Sequence, residues 1–328
     1  MGTPIAATRR LYWEITTVCQ LACRYCFYET GLTERRRLRT LPGDVRTLLD
    51  AGLADSFRSV TFTGGEPLLE PTLWESIALL VGAGVDVSVI TDGIRLDACN
   101  RAKVRDSGIS RLAVSLDSLS ARSQDAVRVP LAGRGHGTAD IIENLSRLLA
   151  DRPPGLAVSV LQTVHRANID AISPMATWCR EVGADLLVHL AGLPDGAGCG
   201  DLRLETCTTA DLAGLRAEML AWAGGHTGRV SYTLAAMEFV GGRNPVGLKC
   251  PMGSSEYFLD TSGGLYPCFH RKDLCYGNVR TDPFDTIVGR LLDHDLSAAP
   301  CATLACACLL DCGTAGSGRA DSTGEGGN

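Results

Sequence analysis

The chain has 328 residues, 45% of them hydrophobic, and its 31 Lys and Arg against 37 Asp and Glu leave a net charge of −6. That size suits one large α/β domain with a smaller appendage, and the acidic balance speaks against a nucleic-acid partner, whose phosphates call for a basic face. No stretch reaches the roughly 18 apolar residues of a membrane helix, and no apolar run of a signal peptide follows Arg9 and Arg10, so the expectation is a cytoplasmic protein with no membrane partner.

Residues 1–9 read as a lead-in. The run Leu11–Thr16, rich in aromatic and β-branched residues, predicts the first strand. Next comes Thr17-Val-Cys-Gln-Leu-Ala-Cys-Arg-Tyr-Cys-Phe-Tyr28, which places Cys19, Cys23 and Cys26 within eight residues. Three thiolates so close in sequence can serve one metal centre. Four would fill a tetrahedral zinc or a cubane cluster, whereas three leave one position open to an outside ligand. A zinc knuckle that borrows its fourth ligand from further along is the competing reading. The basic run Arg35-Arg36-Arg37-Leu38-Arg39 reads as a solvated loop, with docking of a reductant as the alternative.

A helix is expected from Pro42 to Gly52 and a second strand over Ser59–Thr63, which closes on Gly64-Gly65-Glu66-Pro67. Two glycines allow positive φ and close approach to a ligand, and Glu66 offers a carboxylate at the carboxyl end of a strand, where ligands sit in α/β sheets. Helices over Leu73–Val81, Arg95–Ser107, Thr138–Ala150 and Asn168–Val182 alternate with strands over Val85–Thr91, Arg111–Asp117, Leu156–Thr163 and Asp185–Leu190. This alternation implies a parallel sheet with right-handed crossovers. Cys99 and Cys179, inside helices, are expected to be buried small apolar residues. His189, at a strand end, is a candidate to face a pocket.

A glycine-rich loop near Gly192–Gly200, which holds Cys199, marks the expected boundary between a core of 10–192 and a C-terminal domain of 193–312. A helix from Thr208 or Thr209 to about Ala223 and an extended segment over Arg229–Met237 follow. Tyr257–Cys268 predicts a hairpin around Thr261-Ser-Gly-Gly264, and a helix is expected near Pro283–Leu292. Of the 14 cysteines, seven fall from Cys250 to Cys312: Cys250, Cys268, Cys275, Cys301, Cys306, Cys308 and Cys312. A long chain with its own core and no secretion signal disfavours a disulfide framework, which leaves metal or cluster ligation. Residues 313–328 form a Gly/Ser-rich tail expected to be disordered.

The three-cysteine loop after a strand, followed by Gly-Gly-Glu-Pro after the next, resembles the radical S-adenosylmethionine (SAM) enzymes. The resemblance implies a partial (βα)6 barrel. It also implies a [4Fe–4S] cluster on Cys19, Cys23 and Cys26, with SAM on the open iron, and a flavodoxin- or ferredoxin-type reductant. By similarity, Gly64, Gly65, Glu66, Pro67, Asp92, Ser115, Asp117 and Arg128 would hold SAM, with the planar fork of Arg128 suited to the methionine carboxylate. The hairpin with flanking cysteines resembles the SPASM or Twitch extension. That implies at least one auxiliary [4Fe–4S] cluster drawn from Cys250, Cys268, Cys301, Cys306, Cys308 and Cys312; a zinc ribbon is the alternative.

The chemistry implied is reductive cleavage of SAM to a 5′-deoxyadenosyl radical, which abstracts hydrogen from the substrate. The expected substrate is a small polar metabolite (an aminoglycoside, aminocyclitol or sugar), oxidised or epimerised at a carbinol carbon. The early start of the first strand, leaving no leader-binding domain ahead of it, favours that reading. A ribosomally made peptide is the alternative, and a noncatalytic iron–sulfur electron carrier a remote one. Cys275 is the candidate hydrogen-atom donor for an epimerase and Cys199 its rival.

Overall fold

A computed structural model describes residues 9–26, 40, 42–131, 137–191, 200–202, 207–225, 230–232, 252–269 and 271–293. In chain order the strands are β1 (Arg10–Thr16), β2 (Leu21–Cys23), β3 (Ser59–Gly64), β4 (Asp86–Thr91), β5 (Arg111–Ser115), β6 (Arg128–Pro130), β7 (Ala157–Val164), β8 (Asp185–Leu190), β9 (Val230–Tyr232), β10 (Glu256–Leu259), β11 (Gly264–Tyr266) and β12 (Gly277–Asn278). The helices are α1 (Pro42–Asp50), α2 (Leu53–Ser56), α3 (Leu73–Gly82), α4 (Ala98–Asp106), α5 (Ala121–Asp125), α6 (Thr138–Ala150), α7 (Ile172–Val182), α8 (Thr209–Gly225) and α9 (Phe284–Asp293).

The six expected strands, β1, β3, β4, β5, β7 and β8, lie side by side in that order and pair parallel. Each β–α–β step returns the chain to the next parallel position, as crossover handedness requires. Leu11, Trp13 and Ile15 of β1 join the main core beneath the helices, while Tyr12 packs in a separate cluster with Met252, Phe258 and Cys268. Odd and even positions of β1 thus serve opposite faces.

The helices present apolar residues at three- and four-residue intervals to that core. α6 buries Ile141, Leu145 and Leu148, and α7 buries Ile172, Met175, Ala176 and Cys179. Each fully buried aliphatic side chain contributes about 1.5–3 kcal/mol.

Several boundaries differ from expectation for local reasons. The helix from Pro42 breaks at Gly52, whose φ of 93° is left-handed, and restarts as α2. Arg95 and Leu96 lie outside α4, which begins after Asp97 because that carboxylate accepts the Asn100 N–H at 3.0 Å and caps the helix. Cys99 is exposed, because α4 turns Asn100 and Val104 inward instead; Cys179 is buried as expected.

The hairpin is present as antiparallel β10 and β11. Asp260 closes its turn by accepting from the Ser262 and Gly264 N–H groups, both at 2.9 Å. β10 also pairs parallel with β1, so the hairpin continues the barrel sheet at one edge, and β9 extends it at the other. Among the described residues no helix is long and apolar enough to cross a membrane.

Candidate active site

The cysteine loop leaves β1 and is clamped to the turn that follows β3. Gly65 N–H donates to Thr16 O and Glu66 N–H to Val18 O, both at 2.7 Å. A Cβ on Gly64 would lie 2.4 Å from Thr16 O, and one on Gly65 would lie 2.1 Å from Val18 O. Gly64 also takes a φ of 132°. The glycine pair therefore admits the backbone of the cysteine loop, a closer reason than the ligand approach expected from sequence.

That contact delivers Glu66 to the rim. Its carboxylate, 1% exposed, accepts from Leu68 N–H at 2.8 Å, Thr91 Oγ1–H at 2.7 Å and Asp92 N–H at 2.6 Å. A carboxylate has about four acceptor positions, so the three bonds leave one for a ligand. Burial raises the Glu66 pKa well above the carboxylate range, and the neighbouring Asp92 raises it further. Burial raises Asp92 as well. Asp92 accepts Gln20 Nε2–H at 3.1 and 3.2 Å and the Ile94 N–H at 2.9 Å. Two buried carboxyls beside a thiol loop make a pocket that favours a cation.

On the far side of the loop a second network forms. β2, which contains Cys23, pairs antiparallel with β6, and Cys23 lies opposite Arg128. Arg128 donates to Asp117 through Nε at 2.9 Å and a terminal nitrogen at 3.2 Å. Asp117 also accepts from the Tyr25 hydroxyl and from Thr163 N–H. The Arg128 guanidinium lies 5.4 Å from the Tyr25 ring centre, a cation–π distance. Asp117, offered by the sequence as a ligand contact, is instead the anchor of Arg128 and of the cysteine loop. Ser115 ends β5 and is 8% exposed.

His165, at the end of β7, is a residue that sequence reasoning missed. Its Nδ1 accepts from Ala167 N–H at 3.2 Å, and its ring lies 5.9 Å from that of Tyr25. Burial pushes its pKa down to about 4, so the ring is neutral with its proton on Nε2, a buried atom without a partner. Gln20, Tyr25 and Thr91 likewise have their roles only in three dimensions.

The donor set suits an iron–sulfur cluster. Burial pushes the Cys19 and Cys23 thiols up to about 12, so as free thiols they stay protonated, and iron would have to displace the protons. Among the described residues no three His, Cys, Asp or Glu groups converge on a single ion. A cubane places each thiolate on a different iron and so needs wider spacing than one ion does. Cys268 is buried and Cys275 exposed; the Cys275 thiol donates to Gly277 O at 3.4 Å. Cys199, Cys250, Cys301, Cys306, Cys308 and Cys312 lie outside the described residues.

A parallel partial barrel that gathers thiols and buried carboxyls at the carboxyl ends of its strands has the architecture of a radical SAM enzyme. Residues 13–166 match the family model described as the Radical SAM superfamily, and the chain belongs to that superfamily. Membership implies a [4Fe–4S] cluster and SAM.

Among relatives, the AdoMet-dependent heme synthase of Nitratidesulfovibrio vulgaris is 25% identical over 87% of this chain and 79% of its own length. Mycofactocin maturase MftC of Mycobacterium tuberculosis is 27% identical over 86% of this chain and 69% of its own. Among solved structures, Streptococcus suis SuiB bound to precursor peptide SuiA aligns with a TM-score of 0.68 at 14% identity, covering 90% of this chain and 66% of that chain. The chain thus spans just under two thirds of SuiB's length.

Proposed function

We propose that this radical SAM enzyme matures a peptide by hydrogen abstraction, with Cys19, Cys23 and Cys26 as cluster ligands and Glu66 as the receptor of the SAM ammonium. The observation that carries the cofactor assignment is the clamp of Gly64 and Gly65 on Thr16 and Val18, which sets a saturated carboxylate with one acceptor position left beside the cysteine loop. When bound, the cluster supplies one electron to cleave SAM into methionine and a 5′-deoxyadenosyl radical. The protein's own work is to hold and to exclude water. Glu66 accepts the ammonium in a charge-assisted bond, and Asp92 adds negative charge beside it. Asp117 holds Arg128 against the cysteine loop, where its guanidinium is available to the methionine carboxylate. Ser115 offers a hydroxyl to the same ligand.

The peptide reading is supported by likeness to a maturase across 86% of the chain. Likeness to a heme synthase across 87% favours, as a second reading, a small metabolite that is oxidised or epimerised. The position at which β1 begins does not decide between them. Within this proposal the hairpin cysteines and those after it hold one auxiliary [4Fe–4S] cluster, and Cys275, exposed at the sheet edge, returns a hydrogen atom if the reaction is an epimerisation.

The test is anaerobic reconstitution, reduction with dithionite, and quantification of 5′-deoxyadenosine with panels of precursor peptides and of aminocyclitols and sugars. Substrate-dependent release with a peptide alone supports the first reading; release with a metabolite alone overturns it. About eight irons per chain would match two cubanes, and about four would remove the auxiliary cluster.

A further inference from the structure

Below the rim, the partial barrel encloses a cavity of about 50 Å³. It is lined by alternate residues of six strands, which identifies it with the inner face of the sheet. Its polar lining is cationic: Arg10 on β1 and Arg111 on β5, with Tyr12, Thr61, Ser88 and His189. Arg10 sits 3.5 Å from both the Tyr12 hydroxyl and Glu256, distances long enough for a better acceptor to take over. On the same face of β7, two residues from the lining Leu161 and in register with the lining Ala113, Ser159 is 3% exposed and its Oγ has no partner. A buried hydroxyl left unsatisfied costs about 1–3 kcal/mol, which a bound polar group would recover.

From these observations we infer that the cavity anchors the substrate by a carboxylate held between Arg10 and Arg111. This rests on the hydrogen-abstraction reading above and narrows its substrate class. Size limits the anchored group: a water needs about 10–15 Å³ of such space, so the cavity takes three to five waters or one carboxylate, and no aromatic ring. Guanidinium forks match a carboxylate in plane and charge. Position completes the argument. Arg111 opens β5 and Ser115 closes it at the rim, four residues or about 13 Å away. A substrate pinned at the floor therefore reaches the radical site with a carbon some three or four extended bonds or residues from its acid group.

The experiment uses reconstituted, SAM-loaded protein and acetate as probe, with acetamide as its neutral counterpart, followed by saturation-transfer NMR. Acetate should bind saturably and acetamide at least tenfold more weakly. Arg111→Gln should weaken acetate at least tenfold, Arg111→Lys less, and Arg105→Gln, on the outer helix α4, not at all. Should Arg111→Gln lose iron or melting temperature, Arg10→Gln is read by the same criterion.

Equal binding of acetate and acetamide, or acetate binding untouched in a folded variant, overturns the inference. Competition against acetate by peptides carrying a free or amidated C-terminus, and by carboxylated metabolites, then identifies the source of the acid. Substrate-free 5′-deoxyadenosine formation, read on the same samples, tests the cofactor assignment separately, and neither Arg111→Gln nor Arg105→Gln should change it.

Discussion

Asp117 grips Arg128 at two points, 2.9 and 3.2 Å, while Arg128 stands across the β2–β6 pair from Cys23. The pair is nearly sealed from solvent, with side-chain exposures of 2% for Asp117 and 9% for Arg128. Breaking a buried pair strands a charge and costs about 3–5 kcal/mol, whereas replacing both partners with apolar groups often costs much less. Asp117→Leu alone should therefore lower the melting temperature more than Asp117→Leu combined with Arg128→Leu. Thermal melts of both proteins check the order; a double variant as damaged as the single one would show that the pair does not act as a unit.

Glu66→Gln keeps the shape of the side chain and removes its charge. The expected result is a cluster spectrum like that of the wild type and SAM binding weaker by about 1.5–3 kcal/mol, the worth of a hydrogen bond to a charged group. Equilibrium binding of SAM to reconstituted protein measures it. Unchanged affinity would remove Glu66 from the cofactor site.

The sequence showed the barrel because apolar alternation and helical periodicity repeat over long segments. It showed the cysteine loop and Glu66 because their residues are contiguous. What it hid depends on contacts between distant short segments. β2 and β6 have three residues each and pair Cys23 with Arg128, more than a hundred positions away; runs that short carry no periodic signal. The purpose of Gly64 and Gly65 became clear only when Thr16 and Val18 were seen pressed against them. Cys99 misled because a helical position says nothing about which face it occupies. Asp117 looked like a ligand contact because a carboxylate at a strand end often is one, and only its four donors reveal an anchor.

Cys23→Ala removes one proposed cluster ligand and breaks the thiol pattern next to Arg128. The variant should lose the iron–sulfur absorption of the rim cluster and make no 5′-deoxyadenosine under dithionite, while circular dichroism stays near wild type because Cys23 lies in a three-residue strand outside the main sheet. Wild-type 5′-deoxyadenosine formation would refute the assignment of the cluster to this loop.

His165 makes stability depend on pH in a predictable direction. Its pKa falls from 6.5 to about 4 on folding, chiefly through burial and despite the opposing pull of Asp117. The unfolded chain therefore takes up a proton near pH 6.5 that the folded chain refuses until about pH 4. Between those values the unfolded state binds more protons, so stability falls as pH falls. Going from pH 7 to pH 5 should cost roughly 2 kcal/mol from this residue. His165→Gln keeps a polar side chain there and cannot titrate. Thermal melts at both pH values should show a smaller acid-induced drop for His165→Gln than for wild type, with the difference gone above pH 7. Equal drops in the two proteins would mean that the imidazole is already charged in the folded state, or that it is not the group that titrates.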